Sequence, residues 1–326
     1  MTGTPQPNPT MQAILDEMAA LGAKPLETLT PTQARKQPTP ADAVAAVLKA
    51  RGQDAMPEAV GSVEDRSIVG PGGPIALRIY HPKDAQPGAA GFPVVLYIHG
   101  GGWVIADLDV YDASPRAVAN AAGAIVVSTH YRQGPEHLFP AAHEDTFAAY
   151  LWLLDNAASL GGDANNIALV GESAGGNMAA NIAINAREMD ITVPVHQVLV
   201  YPVANNDMDS PSYLENASAK PLGKAAMGWF VQHAFESAER TNDSRIKLVD
   251  RTDLGNLPPA TIILAQIDPL RSEGEAYGKA LTAAGVQVTQ QCWTGVTHEF
   301  FGMAALLDEA KQAQALVGER LREAFR

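Results

Sequence analysis

"IALVGESAGGNMAANIA", residues 167–183, decides how this chain is read. Ile167 to Val170 is an apolar run of strand length, whereas Asn177 to Ala183 is rich in helix formers and holds no proline. A strand that turns into a helix within Gly-Glu-Ser-Ala-Gly leaves Ser173 at the corner. Further runs of the same kind recur along the chain: "FPVVLYIHG" (92–100), "AIVVSTHYR" (124–132), "HQVLVYPV" (196–203), "ATIILAQID" (260–268) and "VQVTQQCWTG" (286–295). Helix-like segments at 113–122, 141–158 and 272–284 separate most of them. Strands alternating with helices predict an α/β fold, with a mostly parallel central sheet and helices on both faces. "VEDRSIV" and "IALRIYHP" flank the turn sequence "GPGGP" and predict an antiparallel hairpin at the sheet edge.

Composition bounds the partners. The chain has 326 residues, 46% hydrophobic and 18% charged, which suits one large globular domain with insertions. Lys and Arg number 23 against 36 Asp and Glu, and the net charge of −13 opposes nucleic acid and anionic membrane surfaces. "MTGTPQPNPT" carries neither a basic nor an apolar leader segment, and no run approaches the ~18 apolar residues of a membrane span. The expectation is a cytoplasmic protein without stable membrane insertion. The single cysteine, Cys292, fits a reducing compartment and is read as a small buried hydrophobe.

Two regions fall outside the alternation. Met11, Ile14, Leu15, Met18 and Leu21 lie on one helix face, a second helix follows Pro40, and both precede the first strand signal. Almost sixty residues separate the strand ending near Val203 from the next, too many for one crossover, and they include Leu222, Met227, Trp229 and Phe230. The expected division is a helical cap from residues 1–50 and an insertion at 204–245, over a core formed by 51–203 and 246–326.

In open α/β sheets ligands bind beyond the carboxyl ends of the strands, so residues that end strands converge. Ser173 sits in a G-x-S-x-G turn, which pushes a serine oxygen into the open. "HGGGW", residues 99–103, ends an apolar run, and its backbone N–H groups, with that of Ala174, suit an anionic oxygen. A serine hydroxyl needs a base, and His298 in "TGVTHEFFGM" follows the last strand. Asp268 ends "TIILAQID" and would orient the imidazole, giving the order Ser173, Asp268, His298. Glu273 and Asp253 are the alternative acids, though neither ends a strand. His99 is assigned to ordering the glycine loop, and His130, His137 and His143 to a polar structural network, because no metal-ligand spacing joins them. Glu172 is read as bracing the serine turn. Packing is the first reading of Trp103, Trp229 and Phe300; with Tyr201 and Leu222 they are the candidates for pocket walls.

"HGGGW", "YRQGPEHLFPAAHED", "GESAGGNMA", "DPLRSEGEAY" and "HEFFGM", taken together in this order, resemble the bacterial hormone-sensitive-lipase family of carboxylesterases, within the α/β-hydrolase fold. The resemblance spans nearly the whole chain. It implies a catalytic triad of Ser173, Asp268 and His298, oxyanion donors at Gly101, Gly102 and Ala174, and a cap. It further implies a serine esterase acting on short- to medium-chain esters, with a small-molecule ester as partner and neither metal nor organic cofactor. Glu172 departs from the Asp or Thr common before the serine, and Gln133-Gly134 from the usual Leu-Ala. A homodimer is left open, and the alternatives are a non-catalytic small-molecule receptor on the same scaffold, or amidase or lipase activity from the same triad.

Overall fold

The computed structural model describes residues 5–326. Its eight strands are β1 (Ser62–Gly70), β2 (Gly73–His81), β3 (Phe92–Ile98), β4 (Ile125–Thr129), β5 (Gly162–Glu172), β6 (Gln197–Val200), β7 (Ala260–Ile267) and β8 (Val288–Thr297). The helices are α1 (Pro9–Ala20), α2 (Pro31–Ala34), α3 (Pro40–Ala50), α4 (Ala113–Ala122), α5 (Ala141–Asn156), α6 (Ala174–Glu188), α7 (Pro211–Glu215), α8 (Lys224–Ala234), α9 (Arg271–Ala283) and α10 (Asp308–Ala324). The strands form one sheet in the order β1-β2-β4-β3-β5-β6-β7-β8. β1 pairs antiparallel with β2, and β2 with β4; the remaining pairs are parallel. The hairpin read around "GPGGP" is therefore the antiparallel edge.

Alternation along the strands divides the core between two faces. Val94, Leu96 and Ile98 of β3 join Tyr150, Leu153 and Met178 from α5 and α6 on one side. Val95 and Tyr97 join Val118, Val317 and Leu321 from α4 and α10 on the other. Successive side chains point to opposite faces, so a strand covered on both sides is continuously apolar. The N-terminal helices contribute to the second cluster through Met11, Ile14, Ala43 and Leu48. Between β6 and β7 the chain forms α7, α8 and short turns instead of a single crossover.

Cys292 differs from its expected burial. It is exposed on β8, the last strand of the sheet, where an edge leaves part of the side chain uncovered. The partial cover that remains raises its thiol pKa to about 11. Among the described residues no helix is long and apolar enough to cross a membrane.

The start of α6 is pressed against the end of β3. A Cβ on Gly175 would lie 2.0 Å from the Ile98 carbonyl oxygen and 2.6 Å from that of His99, so only a residue without a side chain fits. Gly175→Ala is expected to destabilise the fold by roughly 2 kcal/mol or more, read as a fall in Tm. An unchanged Tm would mean that helix and strand are not in this contact.

Candidate active site

Three strand ends supply the site. Ser173 follows β5 and precedes the first residue of α6, with φ 57° and ψ −118°, a left-handed backbone that costs a non-glycine residue about 1–3 kcal/mol. The turn is held from both sides: Ser173 N donates to Val200 O at 2.9 Å, and Ser173 O accepts from Asn177 N and Val203 N at 3.1 and 3.2 Å. Asp268 follows β7 and accepts at Oδ1 from Leu270 N at 2.9 Å. His298 follows β8.

Ser173, Asp268 and His298 meet. His298 Nδ1 lies 2.7 Å from Asp268 Oδ2, and His298 Nε2 lies 3.0 Å from Ser173 Oγ. With Nδ1–H donating to the carboxylate, Nε2 is free to accept the serine hydroxyl proton. Asp268 is 0%, His298 3% and Ser173 6% exposed, so these bonds lie out of bulk water. Burial pulls the His298 pKa down, but the Asp268 carboxylate beside it, aided by Glu299 and Glu172, outweighs burial and leaves the pKa above 6.5.

The glycine loop lies against the serine: a Cβ on Gly100 would come within 3.2 Å of Ser173 Cβ. Gly101 has φ 99°, and a side chain there would strike the Ile105 carbonyl oxygen at 2.1 Å. The His99 Nδ1–H donates to Gly100 O at 2.8 Å, while Tyr131 Oη donates to His99 O and Gly100 O at 3.0 and 2.8 Å. Burial lowers the His99 pKa to about 3, so its ring is neutral and orders the loop. The amide of Ala174, in the first turn of α6, has no acceptor within the helix.

Arg35, which the sequence did not single out, completes the frame with Gln133 and Glu172. Arg35, just beyond α2, donates to Val104 O at 2.8 Å, to Gly134 O at 2.6 Å and to both Glu136 carboxylate oxygens. Gln133, one of the departures from the family pattern, donates to Ile105 O and Ala106 O at 2.8 and 2.9 Å. Both tie down the chain that leaves the glycine loop. Glu172 accepts from the phenols of Tyr97 and Tyr201 beneath the serine turn, and burial raises its pKa to about 7.

A cavity of about 780 Å³ opens beside Ser173 and His298, within the size range of small-molecule sites. Gly101, Gly102, Trp103 and Leu222 line it, as do Met227 and Phe230 of α8. Segments around 18–40 and 203–246 contribute to its walls.

Tyr201, Trp229 and Phe300, candidates for pocket walls, do not line this cavity; Trp229 and Phe300 instead follow their first reading as packing residues. Tyr201 adopts φ 35° and turns its phenol onto Glu172, with its ring centroid 4.4 Å from that of His298. Phe300 is fully buried behind it. Trp229 turns its indole N–H to Leu29 O at 2.8 Å, linking α8 to the N-terminal segment.

The alternative groups have other partners. Glu273 Oε1 accepts from Ala204 N at 2.8 Å, and Asp253 pairs with Arg251. His143 Nε2 lies 2.9 Å from Asn177 Oδ1, and His99 Nε2 lies 3.0 Å from His130 Nδ1. Among the described residues no group of three or more His, Cys, Asp or Glu side chains is placed to hold a metal ion.

This arrangement, a serine turn between a parallel strand and a helix with histidine and aspartate on later strand ends, defines the class. Residues 95–302 match the family described as the alpha/beta hydrolase fold, and the chain belongs to it. It is 42% identical to Esterase LipI of Mycobacterium tuberculosis over 77% of this chain and 78% of that protein. It is 35% identical to Ethyl acetate hydrolase of Pseudomonas putida over 76% of this chain and 78% of the relative. The solved structure of the hyperthermophilic esterase from the archaeon Pyrobaculum calidifontis superposes with a TM-score of 0.86 at 34% identity, covering 98% of both chains.

Only the neutral imidazole can take the serine proton. Since the surrounding carboxylates hold the His298 pKa above 6.5, kcat/KM is expected to rise with pH through a midpoint above 6.5 and to be lost below it. A pH–rate profile with its acid limb centred below that value would contradict the electrostatics of the site.

Proposed function

We propose that the protein is a serine carboxylesterase that hydrolyses short- to medium-chain carboxylic esters through an acyl-enzyme at Ser173. The observation that carries this reading is one imidazole bonded to Ser173 Oγ at 3.0 Å and to Asp268 Oδ2 at 2.7 Å, at the edge of a substrate-sized cavity.

His298 Nε2 takes the Ser173 proton as the serine oxygen bonds to the ester carbonyl carbon. The carbonyl electron pair moves onto its oxygen, which the amides of Gly101, Gly102 and Ala174 receive; removing one such donor typically costs about 3–4 kcal/mol of barrier lowering. Collapse of this intermediate breaks the bond to the alkoxy oxygen, which leaves as alcohol with the proton from His298. Water then gives a proton to His298, attacks the acyl carbon and releases the acid, restoring Ser173. Asp268 keeps the imidazole in the required tautomer and supports its positive form.

Residues 1–50, of which the first four lie outside the described residues, and 204–245 serve as the cap in this reading, supported by the cavity walls that 18–40 and 205–241 supply. Trp103, Leu222, Met227 and Phe230 form apolar surface that suits an acyl or alkyl group. Cytoplasmic action belongs to the same proposal, supported by a single cysteine in 326 residues.

Ser173→Ala is expected to lower kcat on nitrophenyl butyrate by roughly four to six orders of magnitude. A fluorophosphonate should label the native protein and not this variant. Absence of labelling in both would assign the scaffold to non-catalytic ligand binding. An acyl series from acetyl to dodecanoyl should favour the short and medium members; a maximum at the longest chain would contradict the proposed substrate class.

A further inference from the structure

The residue after the histidine places a second acidic side chain at the reacting centre. Glu299 Oε1 lies 3.8 Å from His298 Nε2, the nitrogen that faces Ser173, whereas Asp268 occupies the Nδ1 edge. Tyr111 Oη lies 2.8 Å from both Glu299 oxygens and fixes the carboxylate. Glu299 lines the cavity together with Ser173 and His298.

Two further observations separate this carboxylate from an incidental neighbour. Its backbone has φ 73°, a conformation that glycine adopts freely and a long side chain does not, so the acid stands against the local backbone preference. It also lacks another counter-charge. The cavity's Arg35 and Arg132 pair with Glu136 and Asp145, and His298 is the one cation-forming group within ion-pair distance of Glu299 among the described residues.

We propose that Glu299 is a positioning residue for the reaction, a second carboxylate that faces the Nε2 edge of His298 and supports the imidazolium formed when Ser173 gives up its proton. The inference rests on the serine-esterase reading. The ionisable groups around this imidazole are Asp268, Glu299 and Glu172, with the phenols of Tyr111 and Tyr201 beside them. Glu172 is almost completely buried at 1% exposure, while the Glu299 side chain keeps 22%. Burial raises both carboxyls: Glu172 to about 7, and Glu299 against the opposing pull of His298 and the Tyr111 hydroxyl, which act on Glu299 directly.

Two variants test this. In Glu299→Gln, the acid limb of kcat/KM and the His298 imidazole titration followed by NMR should both move down by about one pH unit, as expected for loss of a neighbouring opposite charge. The plateau kcat should fall severalfold, with KM for a small neutral ester nearly unchanged. Glu299→Gly should give the same downward movement with a Tm equal to or above that of the native protein, because glycine relieves the left-handed backbone. A His298 titration unchanged in the folded Glu299→Gln protein would overturn the inference while leaving the esterase reading intact. Native protein that neither turns over esters nor reacts with a fluorophosphonate at Ser173 would overturn that reading, and the inference with it.

Discussion

The two hydrogen bonds on opposite edges of the His298 ring, one to Asp268 and one to Ser173, set the requirement that the rest of the fold meets. An imidazole can bridge a carboxylate and a hydroxyl only if both are held at fixed positions about its plane. Here the three residues come from the ends of β5, β7 and β8, and β6 lies between the first two. Because these strands are parallel, all of their carboxyl ends open on one side of the sheet. The hydrogen-bonded register of the strands thus does the positioning, while burial of β5, β6 and β7, and of the carboxyl end of β8, keeps that register from slipping.

Placing reactive groups there has a structural cost that the surroundings offset. Ser173 holds a left-handed backbone, and the turn is fixed by the Val200 carbonyl of β6, by the amides of Asn177 in α6 and of Val203, and by the close approach of Gly175 to β3. Glu172 is buried beneath it, which disfavours its charge, but two tyrosine phenols satisfy its oxygens. The glycine loop that faces the serine is similarly held by Tyr131, Arg35 and Gln133 acting on backbone carbonyls. Arg35 comes from the N-terminal segment, so the position of that segment and the shape of the loop are linked through one guanidinium.

Much of this was legible in the sequence because polar residues at the ends of apolar runs are costly unless they are used. Ser173, Asp268 and His298 each follow such a run, and the strand-to-helix alternation already implied that their ends converge. The walls of the cavity were harder to read. Tyr201 and Phe300 also follow strand ends, yet the positive φ of Tyr201 turns its ring under the site instead of into it. Trp229 shares a helix with Phe230, but its indole faces the N-terminal segment. Arg35 and Tyr111 escaped notice because their partners lie 69 to 101 and 188 residues away, beyond any local pattern. Glu299 left one trace, an acid directly after His298. Cys292 was misplaced because its burial depends on whether β8 is an edge strand, which follows from strand order and not from composition.

The most direct measurement is a crystal structure of the protein after reaction with a small alkyl phosphonate ester. The account requires a covalent bond from phosphorus to Ser173 Oγ, one phosphonyl oxygen within hydrogen-bonding distance of the amide nitrogens of Gly101, Gly102 and Ala174, and His298 Nε2 facing the leaving-group side. Phosphorus bonded to another residue, or bonded to Ser173 with its oxygen turned away from those amides, would contradict it.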